Sequence, residues 1–466
     1  MEVKNYINRT SEITDYAIIG NSAAGLAAAE SIRELDKTGK ISILSEEDCR
    51  NYSKPLITYL MEGTVSLDKI HFKSKNFYRD NNIDIRLNTR VKSIDINKMS
   101  LTCGDGGRYR FKKLLISSGG KPIIPEIKAV CTCINNNCKS SKSNSFCSVN
   151  SKNYKDIEGI FTLATLSDAL KIKNFIKKNN IREVSILGGG LIGLKSAEAF
   201  LEMGMSINII ELADRILAAT FDEQASGIIE KKIISKGSNI YKNNTIEEIH
   251  VTGKKISGCG LKDGRKIECS LLIIAIGVTP DTGFIKNGAL KVNRGIVVDK
   301  YMRTSAKNIY AAGDVAEARD ILLGEKRCIA IWPLAVRQGS VAGINMAGGD
   351  KKYNGGFFMN SVEILDIPTI SMGMTNITEE KGKNIEILKD FDPERNTYKK
   401  VVIRDKKIIG VIMAGNIERA GIYAGLIQNE IDISSVKDNI LREDFGIVNL
   451  PVDYKKHLVS GEGIEI

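Results

Sequence analysis

Two glycine-rich turns carry the residue types best suited to chemistry in this chain. The first, residues 20–25 (GNSAAG), lies between the apolar run 17–19 and the alanine-rich stretch 26–33. A strand, a glycine turn and a helix in this order form a dinucleotide-binding fingerprint, in which helix N–H groups and the helix dipole bind a pyrophosphate. Ser22 stands where the middle glycine is usual. The candidate phosphate-binding residues are Gly20, Ser22, Ala23, Ala24 and Gly25.

The second turn, residues 188–193 (GGGLIG), is a complete G-x-G-x-x-G motif. It follows the apolar run 184–187 and precedes a helical pattern that ends near residue 201. Its first glycine suits the tight turn, and its last one lets the helix pack closely against the strand. The candidate binding residues are Gly188, Gly190, Leu191, Ile192 and Gly193.

An acidic residue follows the next predicted strand after each turn. Glu46 follows the run 41–44, and Glu211 follows the run 207–210. An acid about 20 residues past the glycines is placed to accept hydrogen bonds from ribose hydroxyls. We prefer Glu46 to its neighbour Glu47 for this role. The competing interpretation is a pair of βα turns that bind no nucleotide, with the acids in solvent.

The second acid also predicts which nicotinamide nucleotide binds. Glu211 would repel a ribose phosphate, which favours NADH over NADPH. Arg215 follows closely and softens that preference.

Length and composition limit the classes of function. The chain has 466 residues and a net charge of +11, and no apolar run approaches the roughly 18 residues that span a membrane. Its lysines are spread along the chain, which indicates a solvated surface or acidic partners such as nucleotides and acidic electron carriers, rather than nucleic acid. Residues 1–15 lack the apolar core of a secretory signal, so the nine cysteines are expected to be thiols in a reducing cytoplasm.

Four further segments give the chain a family resemblance. They are residues 52–55 (YSKP), 114–122 (LLISSGGKP), 271–280 (LLIIAIGVTP) and 308–314 (NIYAAGD). With the two glycine turns, they resemble the FAD-dependent pyridine nucleotide-disulfide oxidoreductase superfamily. The similar branch contains rubredoxin reductases, the flavin domain of nitrite reductases and the phenylglyoxylate dehydrogenase epsilon subunit.

The resemblance implies a role for several further residues. It places Lys54 beside the flavin as the candidate catalytic residue, and Asp314 on the FAD ribityl chain, although Asp314 alone would also suit a helix N-cap. Trp332 opens a helix directed at the flavin pyrimidine edge, or simply packs. The candidate cofactor-binding residues added in this way are Lys54, Pro55, Gly119, Gly277, Gly313, Asp314 and Trp332.

Two departures from the disulfide reductases change the expected chemistry. Those enzymes carry a redox cysteine pair on the helix that follows residue 54, whereas Cys49 stands alone and earlier, so we expect no thiol relay. They also carry a glutamate at the position of Lys195, which pairs with the lysine beside the flavin. Either Glu198, one turn along, pairs with Lys54 instead, or both lysines stay unpaired and the flavin site is electropositive.

Residues 128–156 look like an insertion into the family pattern. The segment is rich in Asn, Ser and Lys, which predicts a loop, and it contains four cysteines. A thiolate site for zinc or an iron–sulfur cluster and no metal at all both remain open. The cysteines are Cys131, Cys133, Cys138 and Cys147.

These features predict an α/β fold with two Rossmann-like nucleotide-binding domains, arranged as in glutathione reductase, and a C-terminal α+β interface domain. We assign residues 1–127 and 285–350 to the FAD-binding domain, 128–156 to the insert, 157–284 to the NAD(P)H-binding domain and 351–466 to the interface domain.

The predicted function is hydride transfer from NADH to FAD, with electrons passed on to an acceptor such as rubredoxin. One alternative is the NADH-facing flavin subunit of a 2-oxoacid dehydrogenase or nitrite reductase complex. Another is a flavin-binding interaction protein whose redox state governs partner binding. We further expect a homodimer that binds neither membranes nor nucleic acid.

Overall fold

Apolar segments form the buried strands of this protein, and amphipathic segments cover them as helices. The structure is a computed structural model that describes residues 13–131, 157–286, 288–377, 384–451 and 454–455. The described part forms two compact units. The first comprises residues 13–56, 65–121 and 278–357, and the second comprises residues 57–64 and the described residues of 122–277 and 358–455.

Eight α-helices lie in the described residues. In chain order they are α1 (Ala23–Leu35), α2 (Ile57–Glu62), α3 (Phe77–Asp80), α4 (Leu166–Asn179), α5 (Leu191–Glu202), α6 (Glu223–Ser235), α7 (Trp332–Met346) and α8 (Ala420–Gln428). Short 3₁₀ turns are Lys54–Leu56, Lys437–Asn439 and Ile447–Asn449.

The first unit is built on a seven-stranded sheet. Its strands lie in the order Ile83–Arg86, Ile41–Leu44, Ile13–Ile19, Arg108–Ile116, Ser100–Cys103 and Val91–Asp95, and Ile309–Ala311 also pairs with Arg108–Ile116. The central pairings are parallel, with Ile19 opposite both Leu44 and Ile116. Parallel strands are covered on both faces, which explains why these runs are almost wholly apolar. The unit's smaller strands are Val278–Pro280, Ile296–Val297, Ala316–Arg319 and Lys326–Arg327, and the strand Gly120–Pro122 begins in this unit.

Small residues let α1 and α7 pack closely on each other. A Cβ at Gly339 would collide with the carbonyl oxygen of Ala24, and one at Gly343 would collide with that of Ala28. The hydroxyls of Ser31 and Ser340 share a hydrogen bond of 2.8 Å between the same helices. The alanine-rich stretch therefore provides a flat surface for a second helix.

The second unit contains a parallel sheet of the same kind. Its strands lie in the order Asn239–Tyr241, Ser206–Ile210, Glu183–Leu187, Leu272–Ile274 and Ile160–Thr162. The unit also contains a four-stranded sheet in the order Lys266–Glu268, Lys255–Leu261, Ile246–Thr252 and Lys128–Cys131. Its first three strands pair antiparallel, and the fourth pairs parallel with the third. The expectation of a loop from residue 128 onward is wrong for its first four residues, because Val130 pairs with His250 in this sheet.

The C-terminal part of the second unit is an antiparallel sheet with one helix, α8. Its strands lie in the order Met359–Ile364, Ile367–Gly373, Lys407–Ala414, Thr397–Arg404 and Ile385–Asp392. The first hairpin turns through Leu365 and Asp366, which both have positive φ, at 51° and 65°.

The predicted fold class is confirmed, whereas the exact domain boundaries stay a prediction. Residues 271–280 form two short strands, Leu272–Ile274 and Val278–Pro280, because Gly277 turns the chain with a φ of +112°. Only glycine adopts such a conformation readily.

Candidate functional site

The first glycine turn forms the corner between the strand Ile13–Ile19 and α1. Gly20 has a φ of +109°, and a Cβ there would collide with the carbonyl oxygen of Ser117. A Cβ at Gly25 would collide with the carbonyl oxygen of Gly20. Ser22 is the N-cap of α1, and its side chain makes no capping hydrogen bond. The N–H groups of Ala23 and Ala24 therefore begin the helix without a side-chain acceptor, as an anion site requires.

The second glycine turn has the same construction. Gly188 has a φ of +112°, and a Cβ at Gly193 would collide with the carbonyl oxygen of Gly188. Gly190 is the N-cap of α5, and no atom lies within 4 Å of the position where its Cβ would be. Leu191 and Ile192 begin the helix, and Ile192 is 43% exposed. The open space over Gly190 gives a pyrophosphate room to approach the backbone.

Glu211, the acid after the second turn, is hydrogen-bonded to that turn. Glu211 accepts hydrogen bonds from the backbone N–H of Gly189 at 2.6 Å and from that of Ala213 at 2.8 Å. Arg215 is engaged by its surroundings, because its guanidinium donates to Asp214 at 2.8 Å and to the carbonyl of Phe221 at 3.1 Å. These contacts leave Arg215 less able to soften the preference for NADH.

The two acids after the strand Ile41–Leu44 have different partners. Glu47 accepts a hydrogen bond of 2.6 Å from the hydroxyl of Tyr52. Glu46 is about half exposed and forms an ion pair of 3.2 Å with Arg90. Since the carboxylate of Glu47 already supports Tyr52, Glu46 remains the better candidate for a ribose ligand.

Asp314 presents a partly buried carboxylate in the first unit. Gly313, with a φ of +79°, places it next to α1, where a Cβ on Gly313 would lie 3.2 Å from the Cβ of Ala24. Burial raises the pKa of Asp314, and the positive charge of Lys54 opposes that rise. The N-cap interpretation is wrong, because the strand Ala316–Arg319 follows Asp314 rather than a helix.

Lys54 and Pro55 lie exposed in the 3₁₀ turn Lys54–Leu56 of the first unit. Trp332 begins α7 and packs edge-on against Phe72, with ring centroids 5.1 Å apart. Packing is therefore one role that Trp332 has.

The remaining predicted glycines lie where the chain leaves one unit for the other. Gly119 has a φ of +71°, and its carbonyl accepts a hydrogen bond of 2.9 Å from the backbone N–H of Asp281. The carbonyl of Gly277 accepts one of 3.0 Å from the backbone N–H of Ile123. Both glycines thus shape the backbone at these crossings.

Lys195 has partners of its own, so the expectation that both lysines are unpaired is wrong. Its ammonium forms an ion pair with Glu198 and donates to the hydroxyl of Tyr59 at 3.2 Å. Burial alone would lower the pKa of Lys195, but these hydrogen bonds outweigh burial and raise it. The other carboxylate oxygen of Glu198 accepts from the backbone N–H of Leu365 at 2.7 Å. Glu198 is therefore committed within the second unit, not reserved for Lys54.

Cys49, Cys103, Cys259, Cys269 and Cys328 are free thiols. Burial raises the pKa of Cys49 to about 11, with the charges of Glu47 and Asp48 adding to this effect. Such a thiol is a poor nucleophile at neutral pH. Cys131 ends a strand, and Cys133, Cys138 and Cys147 lie outside the described residues. Within the ranges that the structure describes, no three His, Cys, Asp or Glu side chains are grouped so as to hold a metal ion.

Three supporting residues were not anticipated from the sequence. Ser117 donates to the carbonyl of Ile19 at 2.7 Å, and Gln338 accepts from the backbone N–H of Gly313 at 2.9 Å. Arg90 pairs with Glu46. The G-x-x-x-G spacing of Gly339 and Gly343 was a usable signal for the close α1–α7 packing, but no local pattern marks these three side chains.

These observations fit two nucleotides. The uncapped start of α1 and the partly buried Asp314 suit the pyrophosphate and a hydroxyl of FAD, and the open start of α5 with Glu211 suits NADH. Exposed apolar side chains near the second turn, Ile192, Leu212 and Ile276, offer surfaces for the flat rings of a nucleotide. Among the described residues, we find no helix long and apolar enough to cross a bilayer.

Comparison with known proteins matches two family models to the chain. The pyridine nucleotide-disulphide oxidoreductase model covers residues 14–339, and the rubredoxin NAD⁺ reductase C-terminal domain model covers residues 359–431.

Individual relatives agree with these models. The epsilon subunit of NADH-dependent phenylglyoxylate dehydrogenase from Aromatoleum evansii is 27% identical over 95% of this chain and 98% of its own. The nitrite reductase [NAD(P)H] of Bacillus subtilis is 28% identical over 90% of this chain, which corresponds to only 47% of that protein. Among solved structures, NADH:rubredoxin oxidoreductase from Clostridium acetobutylicum has a TM-score of 0.70 and 26% identity, over 91% of this chain and 97% of that one.

Proposed function

Because this chain belongs to the pyridine nucleotide-disulphide oxidoreductase family, we propose that it passes electrons from NADH, through FAD, to a small electron-carrier protein such as rubredoxin. The enzyme class, an FAD-dependent NAD(P)H oxidoreductase, follows from the family. The choice of carrier rests on the C-terminal domain, where residues 359–431 match the domain found in rubredoxin NAD⁺ reductase. A net charge of +11 suits an acidic partner.

The single observation that best supports this function is the repetition of one corner geometry in two units. Gly20 and Gly188 make the same left-handed turn, and Gly25 and Gly193 allow the same close helix approach. Each corner presents helix N–H groups to a pyrophosphate, so the chain is equipped to hold two nucleotides, one in each unit.

The chain's own residues bind and orient the reactants. The start of α5 at Gly190 would hold the NADH pyrophosphate, and Glu211 would accept from the adenosine ribose. The start of α1 would hold the FAD pyrophosphate, Glu46 its ribose and Asp314 a hydroxyl of its ribityl chain. FAD, when bound, supplies hydride acceptance and the release of electrons singly or in pairs. Lys54 would contribute a positive charge beside the flavin.

The test is an anaerobic assay of the purified protein. We expect it to carry FAD, to lose its flavin absorbance on addition of NADH, and then to reduce rubredoxin faster than ferredoxin, nitrite or oxygen. Protein that stays colourless after incubation with FAD would contradict the proposal, and turnover confined to another acceptor would replace rubredoxin with that acceptor.

A second candidate is the NADH-facing subunit of a larger complex. The relative from Aromatoleum evansii supports it, because similarity to an epsilon subunit extends over almost the full length of both chains. Affinity purification from the native source distinguishes the two proposals: stoichiometric partner subunits indicate a complex, and an isolated active chain indicates a free reductase. A non-catalytic, redox-sensing role would require that NADH reduce the flavin without sustained turnover.

We also propose the cytoplasm as the compartment and a homodimer as the assembly. The free thiols of five cysteines, Cys49, Cys103, Cys259, Cys269 and Cys328, support a reducing compartment. Fractionation and sedimentation measurements test the two points separately.

A further inference from the structure

The segment after Glu211 contains a residue in a strained backbone conformation. Residues 212–222 connect the end of the strand Ser206–Ile210 to α6. Within them, Leu217 is 2% exposed and has a φ of +53°, a conformation that costs a branched side chain free energy unless its surroundings enforce it. Its backbone N–H donates to the carbonyl of Gly189 at 2.8 Å, so this strained residue touches the second glycine turn directly.

Two side chains that follow a strand of the C-terminal sheet restrain this segment by donating hydrogen bonds to its backbone carbonyls. The hydroxyl of Thr375 donates to the carbonyl of Thr220 at 2.7 Å, and the amide of Asn376 donates to the carbonyl of Ala218 at 2.5 Å. Both donors follow the strand Ile367–Gly373. Thus the segment carries a strained residue on one side and is bound on the other by a different sheet.

A buried ionic contact completes the restraint. Lys400, only 3% exposed, lies on the strand Thr397–Arg404 and pairs with Asp222 at 3.2 Å. The hydroxyl of Tyr398 donates to the same carboxylate at 2.6 Å, and the ammonium of Lys400 also donates to the carbonyl of Thr375 at 2.9 Å. Asp222 is itself the N-cap of α6, accepting from the backbone N–H of Ala225. A charge buried to this degree is stable only because every partner is in place.

We propose that Lys400, through Asp222 and with Tyr398, is a positioning residue for the adenosine half of NADH, although it lies in the C-terminal sheet and not in the nucleotide-binding fold. This inference rests on the proposed function, since it takes Glu211 as the ligand of the adenosine ribose. Glu211 and Leu217 hold opposite polar groups of Gly189, its N–H and its carbonyl. Because Glu211 and this segment share Gly189, loosening residues 212–222 shifts Glu211, the ribose ligand.

The proposal predicts an effect on one half of the nucleotide only. The reduced nicotinamide mononucleotide lacks the adenosine half, so it cannot detect the position of Glu211. The experiment measures anaerobic flavin reduction of the holoenzyme by rising concentrations of NADH or of this mononucleotide. For Lys400→Met we expect the half-saturating concentration of NADH to rise about tenfold, with the limiting rate and the mononucleotide response unchanged.

Two conservative variants and one control make the result specific. Tyr398→Phe removes one hydrogen bond and should raise the half-saturating concentration of NADH about threefold. Asp222→Asn removes the charge but keeps an acceptor for the N-terminus of α6. Lys399→Met is the control, because Lys399 is the neighbouring residue of the strand and donates instead to the carbonyls of Leu441 and Arg442. It should change neither response. Tyr398→Phe keeps the proposal testable if Lys400→Met fails to fold.

The outcomes separate this inference from the proposed function. A wild-type flavin that NADH does not reduce overturns both. A reducible wild-type enzyme whose Lys400 and Tyr398 variants respond to NADH as it does, or respond equally poorly to both reductants, overturns the positioning role alone. A selective loss of the NADH response supports it.

Discussion

Glu211 accepts a hydrogen bond of 2.6 Å from the backbone N–H of Gly189, which joins the acid at the end of one strand to the glycine turn at the end of its neighbour. The carboxylate that is expected to bind ribose thus also shapes the phosphate-binding turn. Ligand position and turn conformation are coupled in the second unit before any nucleotide binds.

Replacement of Glu211 by glutamine should weaken the binding of NADH and reduce the discrimination against NADPH. The amide oxygen still accepts from one of the two backbone N–H groups, of Gly189 or Ala213, but the side chain loses the charge that repels a ribose phosphate. We expect the half-saturating NADH concentration in flavin reduction to rise about tenfold and the NADPH to NADH ratio to shift toward NADPH. Glu202→Gln, at the exposed end of α5, is the matched control. An unchanged nucleotide preference would exclude Glu211 as the ribose ligand.

Substitution of two glycines in the second turn should affect folding stability and NADH binding separately. Gly193→Ala places a Cβ against the carbonyl of Gly188, which should lower the free energy of unfolding by about 3 kcal/mol. Gly190→Ala meets no atom within 4 Å, and its φ is −79°, so thermal stability should stay as in the wild type. The added methyl group should nevertheless raise the Kd for NADH about tenfold, because it occupies the space left for the pyrophosphate. Calorimetry measures both quantities, and normal NADH affinity in Gly190→Ala would contradict this site.

Asp314→Asn should make the FAD-free protein more stable and the FAD complex weaker. Burial raises the pKa of Asp314 above its ordinary 3.8, so its contribution to stability is favourable below that value and is lost as pH rises through the folded-state pKa. At pH 7 the asparagine should add about 1 kcal/mol to the free energy of unfolding without FAD. Retention of FAD on dilution should fall. Asp350→Asn, exposed after α7, should change neither. If the variant retains FAD on dilution as the wild type does, Asp314 does not bind the ribityl chain.

Lys195→Met should destabilise the second unit over a wide pH range. The ion pair with Glu198 and the hydrogen bond to Tyr59 should be worth about 2 kcal/mol in urea unfolding. Since the pKa of Lys195 is raised, its contribution is complete below the unfolded-state value of 10.5 and lost as pH rises through the folded-state pKa. The difference from the wild type should therefore be constant from about pH 6 to 9. Lys178→Met, at an exposed position on α4, is the control. An equal loss of stability in that variant would contradict a specific role for the Lys195 contacts.

Lys54→Met should lower the midpoint potential of the bound flavin by about 30 mV, because it removes a positive charge that favours the reduced form. Spectroelectrochemical titration measures this without any acceptor. Lys69→Met, another exposed lysine of the first unit, should leave the potential unchanged. A potential that is equal in the wild type and Lys54→Met would place Lys54 away from the flavin.

The sequence was informative where local geometry alone fixes the outcome. Positive φ at Gly20 and Gly188 and the close approaches at Gly25 and Gly193 are requirements of single residues, so glycine itself marks them. Apolar runs of strand length, such as 184–187 and 207–210, likewise predict buried parallel strands. The predicted helix after residue 25 begins slightly earlier, at Ala23, since the turn residues already belong to it.

The partners of the charged side chains could not be predicted from the sequence. From the sequence, Lys195 had no evident partner, and Glu198 was a candidate for Lys54, yet Lys195 binds Glu198 and Tyr59, and Glu198 binds Leu365. Likewise, nothing near Asp222 in the chain points to Lys400. Strand, turn and helix depend on steric limits within a few residues, which the sequence states directly. Ion pairs depend on which distant segments the packed fold brings together, because burial forces each charge to use whatever donor or acceptor lies within reach, and only the tertiary structure decides that.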